Sequence, residues 1–251
     1  MRTLTLSAAA LMSVLFLFGT SASAALYPED FDDETNGDAT PGSFTTASSL
    51  DQVGGRIIHG FISGTGQVSL PDPEVESDGA GKDYEFYSEA QVTSNGQFAR
   101  YSSAALVNLP PLATSHFLIS TDFEVDANEL GSGATNPGHG SHAGIFARNT
   151  SGAVPTNTNA YSLRLILDGA NEGQLQLRGN NGSANSSSAF GSIDDSGSTT
   201  YSLTLQGRPQ LNGDLEVLGI ATDGISTITT SFTFDSSDVL SGQYFGLRTL
   251  N

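Results

Sequence analysis

The sequence contains no cysteine, no tryptophan and a single lysine, Lys82. Each absence excludes something. Without cysteine no disulfide can staple the chain, so a small disulfide-framed scaffold is ruled out and the fold is held by packing or by metal. Nine Lys and Arg residues stand against 27 Asp and Glu, a formal net charge of −18. Phosphate backbones and anionic lipid surfaces are gripped by clustered Lys and Arg, so neither nucleic acid nor an anionic membrane is expected as a partner. Missing tryptophan removes the broadest stacking platform for a flat ligand ring. Seven tyrosines remain, of which Tyr84, Tyr87 and Tyr101 are the least obviously buried by pattern.

Long apolar runs are also scarce, with one exception. Leu4 to Phe18 is apolar, follows Arg2 and precedes Ala22-Ser23-Ala24. A basic start, a short apolar run and a small-x-small site make a signal peptide over residues 1–24, so the mature chain is expected to begin at Ala25 and to be secreted or held at the cell surface. The run is too short, and too broken by Ser7 and Ser13, for a transmembrane anchor. Residues 25–43 form an acidic lead-in, and 44–251 have the length of one all-β domain.

What is present is alternation and turn residues. "YSLRLILDGANEGQLQLRG", Tyr161 to Gly179, returns forty residues later as "YSLTLQGRPQLNGDLEVLG", Tyr201 to Gly219. Apolar residues at every second position are the mark of strands buried on one face. Asp168-Gly169 and Gly173 in one copy, and Asn212-Gly213 in the other, accept the positive φ of a reversal. Each copy therefore reads as a β-hairpin, the two belonging to one sheet system. Further strands are expected at Gly55 to Ile62, Gly66 to Leu70, Tyr84 to Val92, Gln97 to Val107, His116 to Val125, Ala143 to Arg148, Gly224 to Phe234 and Gln243 to Leu250. The acidic lead-in, "PDPEVESDGAGKD" from Pro71 to Asp83, and "NNGSANSSS" from Asn180 to Ser188 read as loops. No amphipathic helix is evident after the leader.

"HFLISTDFEVDA", "HAGIFARN", "AYSLRLILDG", "TYSLTLQG" and "GQYFGLRTLN", in that order, resemble the LamG-like, concanavalin A-like jelly rolls of exported bacterial proteins. The likeness spans Phe98 to Asn251. It implies an all-β, concanavalin A-like jelly-roll β-sandwich of two antiparallel sheets, one curved face of which binds or cleaves polysaccharide, and a structural calcium ion. It also implies a last strand and a sorting tail beyond Asn251.

Four groups carry the candidate chemistry. On an extended strand Asp122, Glu124 and Asp126 share one face and Phe123 and Val125 the other. The spacing of Glu124, Asp126 and Glu129 resembles the catalytic signature of laminarinase-type retaining glycoside hydrolases, whose two working carboxyls lie about 5–5.5 Å apart. The residues after Glu129 leave that signature, and the alternatives are a calcium or ligand contact and, most ordinarily, a solvated strand face. His139 and His142 stand three apart, fewer than the three or four ligands that zinc needs, in a glycine-rich stretch read as exposed. Glu29, Asp30, Asp32, Asp33 and Asp38 in the lead-in, with Asp78 and Asp83, offer the hard oxygen atoms that Ca2+ accepts. On the hairpins, the polar positions opposite the leucines include Arg164, Gln176 and Arg178, side chains able to grip sugar hydroxyls. With Tyr161 they form the expected carbohydrate-binding set. The partner expected is a polysaccharide or cell-surface glycan, bound without catalysis; the alternatives are a glycoside hydrolase and a purely structural matrix protein.

Overall fold

The computed structural model of the chain describes residues 37–38, 56–63, 74–77, 82–85, 100–108, 116–126, 142–150, 159–167, 171–179, 184–194 and 196–250. Among these the regular structure is β, apart from 3-10 conformation at Asn171 and at Ser236–Asp238. The strands are β1 (Gly37–Asp38), β2 (Arg56–Ser63), β3 (Glu74–Ser77), β4 (Lys82–Glu85), β5 (Arg100–Asn108), β6 (Phe117–Asp126), β7 (His142–Asn149), β8 (Tyr161–Ile166), β9 (Gln174–Arg178), β10 (Ala184–Ala189), β11 (Ser196–Pro209), β12 (Leu215–Thr222), β13 (Thr227–Phe234) and β14 (Tyr244–Leu250). A seven-stranded sheet has the order β10-β9-β8-β7-β14-β5-β2 and a four-stranded sheet the order β13-β12-β11-β6. All their pairings are antiparallel. The chain passes from β5 across to β6, back to β7, across again to β11 and finally back to β14, which inserts between β7 and β5. That path makes the expected two-sheet jelly-roll sandwich.

The core lies between the two sheets and is built by the period-two pattern. Leu163, Leu165, Leu175 and Leu177 from β8 and β9 meet Leu203, Leu205, Leu215 and Val217 from β11 and β12, all at most 1% exposed. Burying one such leucine contributes about 1.5–3 kcal/mol. The two repeated hairpins, read from the sequence as parts of one sheet system, do not share a sheet. They belong to opposite sheets and pack face to face, and their resemblance reflects two halves of one core. Their shared glycines serve that contact. A Cβ on Gly219 would press on the Leu163 side chain, and one on Gly179 would come within 2.7 Å of Tyr161 and 2.8 Å of Phe234. Gly173 and Gly213, also shared, take φ of +74° and +92° at the reversals, where a side chain would be strained.

Three stretches read as loops contain strands. In the low-complexity segment, Ala184–Ala189 pairs with β9 as the sheet edge, where Thr230 of the other sheet donates to Ser186 Oγ at 2.7 Å. In the acidic segments, β1, β3 and β4 form a separate three-stranded sheet. Backbone pairing, available to any sequence, outweighed weak local propensity in each case. The strand expected at Gly66 to Leu70 lies outside the described residues.

Candidate functional site

Every second side chain of β7, β8, β9 and β14 points away from the core, and their register lays these residues out in rows. Arg248 on β14 is opposite Gly144 on β7, which is opposite Arg164 on β8, which is opposite Gln176 on β9. The neighbouring row runs Gly246, Phe146, Ser162, Arg178, and the row on the other side includes His142 and Ile166. Three of the nine basic residues of a strongly acidic chain therefore share one small area.

Hydrogen bonds lock part of this group. Arg164 donates from Nε and Nη2 to Gln176 Oε1 at 3.1 and 2.8 Å, and Arg178 donates to the same oxygen at 3.3 and 3.0 Å. Gln176 Nε2 in turn donates to Gln174 Oε1. The amide oxygen of Gln176 thus holds two guanidinium groups in fixed orientations. Arg164, Arg178 and Gln174 are half-buried, whereas Gln176 and Arg248 are only 8% and 9% exposed, so the area opens on the β9 side and deepens towards β14. Burial, with Arg178 and Arg248 nearby, pushes Arg164 down to about 9. Burial and Arg178 push Arg248 down to about 10, and burial lowers Arg178. All three remain cationic at neutral pH. No carboxylate among the described residues is an opposing influence on Arg164 or Arg248.

The expected carbohydrate-binding set is thereby brought together in three of its four members. Tyr161 is the exception and is corrected. It points into the core, 0% exposed, and its hydroxyl accepts the Leu240 N–H at 2.8 Å. Its position in the alternation, in step with Leu163 and Leu165, carried that signal already. Its counterpart Tyr201 accepts the Asp194 N–H at 2.7 Å in the same manner. Arg248 was missed by sequence reasoning, although it alternates against Phe245 and Leu247 in "FGLRTL" and so had to face the other way.

The remaining candidates fare differently. Asp122 and Glu124 do share the solvent-facing side of β6, at the edge of the four-stranded sheet, with Phe123 and Val125 turned inward. Glu124 accepts a bond from Thr200 Oγ1 at 3.3 Å. Glu129 and the Asp126 side chain lie outside the described residues, so the catalytic trio is not assembled there. His142 is not exposed as expected; β7 buries it to 3% on the arginine face, while His139 lies outside the described residues. Asp30, Asp32, Asp33, Asp78 and the Asp83 side chain also lie outside them. Among the described residues no three His, Asp or Glu gather as metal ligands, and no helix is long and apolar enough to cross a membrane.

No family model matches the chain, and no curated protein gives a significant sequence match; the LamG-like resemblance has no counterpart at that level. Among solved structures, the chain is similar to lectin II from Ulex europaeus, with 12% identity over 88% of this chain and 90% of that one and a TM-score of 0.47. A lectin UEA-II complexed with galactose gives 11% identity, 78% and 84% coverage and 0.47. Lectin I-B4 from Griffonia simplicifolia, in a metal-free form, gives 9%, 77%, 84% and 0.41. At such identities and scores the likeness says nothing of a ligand.

Proposed function

We propose that this protein is an exported, non-catalytic carbohydrate-binding or matrix-interaction protein with a concanavalin A-like sandwich, and that its glycan-binding surface is the outward face of the seven-stranded sheet at Arg164, Gln176 and Arg178. The observation that supports this most is the pair of guanidinium groups anchored on Gln176 Oε1. Donors held in place before a ligand arrives lose little conformational entropy on binding, and planar forks of N–H groups suit sugar hydroxyl and ring oxygens.

The test is retention of purified protein on a panel of polysaccharides. Wild type should be retarded by at least one, Arg164→Ala and Arg178→Ala should weaken that retention, and no reducing sugar should be released. Failure to bind any glycan removes this reading. Release of reducing sugar, abolished by Glu124→Gln, would replace it with the glycoside hydrolase. Export carries its own test, N-terminal sequencing of secreted material, which should begin at Ala25. We include a structural Ca2+ in the proposal on the chemistry of the acidic segments: their carboxylates are the hard donors calcium takes, and the backbone register sets Asp38 beside Glu74 and Glu74 beside Glu85.

A further inference from the structure

We infer that the arginine face holds an anion subsite, formed by Arg164 and Arg248 on either side of Gly144, that receives the carboxylate of an acidic polysaccharide; this rests on the carbohydrate-binding reading and narrows it to uronate-bearing glycans.

Four observations support the subsite. Arg248 and Arg164 occupy the same row with one strand between them, so their Cα atoms are about 10 Å apart, twice the strand spacing. That intervening strand contributes glycine, and a Cβ there would collide with the Leu163 carbonyl and sit 3.1 Å from Arg164 Cα and Cβ. Gly144 therefore lets β7 and β8 approach closely and places no side chain of its own between the two cations. Next, Arg248 Nε is buried and makes no hydrogen bond, although the residue is only 9% exposed. Finally, Ser162 Oγ, on the same face in the adjacent row, is likewise buried and unsatisfied. Buried polar atoms without partners are rare in folded proteins because each forfeits its bonds to water. Two on one small face, beside three cations, are what a site waiting for oxygen atoms presents. A carboxylate supplies two acceptors matched to a guanidinium fork, and the sugar that bears it supplies hydroxyls for Ser162 and for Arg178.

The net charge sharpens the choice of probe. A chain at −18 repels a polyanion over long range, so retention on one reports a local cationic site and not general attraction. Added salt screens that repulsion more than it screens a desolvated ion pair.

The experiment uses the full mature chain, with affinity electrophoresis in gels containing polygalacturonate or neutral dextran, and melting curves with sodium acetate or sodium sulfate. Wild type should be retarded by polygalacturonate and not by dextran, undiminished at moderate salt. Arg248→Gln should lose at least tenfold in affinity for polygalacturonate while melting at the same temperature or higher, because it removes a buried cation that no carboxylate among the described residues offsets. An arginine with only a structural role would instead lower the melting temperature. Arg164→Lys, which keeps charge and loses the fork, should also weaken retention and guards against misfolding of any one variant. Equal retention on both polymers, unaffected by Arg248→Gln, overturns the anion subsite and leaves glycan binding standing. No retention on any polymer, with acetate or sulfate raising the melting temperature of wild type but not of Arg248→Gln, overturns glycan binding and the uronate assignment while leaving a small-anion site.

Discussion

Tyr161 and Tyr201 have the same task in the two halves of the core. Each fills the space between the sheets and uses its hydroxyl to accept a backbone N–H from an irregular segment, Leu240 in one case and Asp194 in the other. Tyr161 stacks near Phe117 and packs against Phe234, with ring centroids 6.0 and 4.8 Å away, and burial pushes its phenol up to about 12, so it stays protonated and neutral through the physiological range. Tyr161→Phe keeps the ring and leaves the Leu240 N–H without its acceptor. A buried donor left unsatisfied costs about 1–3 kcal/mol, so chemical denaturation should show a loss of that size with glycan retention unchanged. A variant that melted like wild type but lost retention would return Tyr161 to the binding surface. Arg148, beside it, has φ of +57° and lies 5.9 Å from the centroids of both Phe117 and Phe245. That left-handed residue accompanies a register shift between β7 and β14, which explains how an arginine at an outward position of the alternation comes to face aromatic rings of the core.

At the scale of elements, the hairpins are closed by side-chain caps as well as by glycine. Between β12 and β13, Asp223 Oδ1 accepts the N–H groups of Ser226 and Ile225 at 2.6 and 2.9 Å, and Gly224 takes φ of +82°. Those bonds, Ser226 first, hold the Asp223 carboxyl below its ordinary value of 3.8. A carboxylate with a lowered folded pKa stabilises the fold above its unfolded pKa, and that contribution disappears as pH falls through the folded one. Asp223→Ala should therefore melt slightly below wild type at neutral pH, and the gap should close in acid, beginning below about pH 5. A gap independent of pH would show that the ionised carboxylate is not what stabilises the turn. The paired strands themselves were largely legible, since β5 to β9 and β11 to β14 alternate visibly. The edge strand β10 was not, because serine- and asparagine-rich sequence has little β-propensity and is held there by pairing with β9.

Over the whole molecule, the acidic excess and the absence of disulfides make stability depend on the core and on any bound cation. If the acidic segments hold calcium, the ion binds the folded state alone and stabilises it with the logarithm of its free concentration, by about 2.7 kcal/mol at one hundred times Kd. Millimolar calcium should then raise the melting temperature of the mature chain and a chelator should lower it. Identical melts in both conditions would remove calcium from the account. The same excess of negative charge makes the arginine face conspicuous, as the one place among the described residues where three cations are gathered within two adjacent rows.

The period-two pattern by itself determined an all-β chain whose strands each carry an apolar face, and it determined that Arg164, Gln176 and Arg178 share the opposite face of the first hairpin. The reason is that side-chain alternation is a local property of extended backbone. It could not say which strands lie side by side. Arg248 is seventy residues beyond Arg178 and reaches the site because β14 inserts beside β7, a long-range pairing set by how two sheets close over a common core. The same closure placed the two similar hairpins in opposing sheets and left Gly144 between the half-buried Arg164 and the buried Arg248, facts that reside in strand order and register and in no stretch of sequence alone.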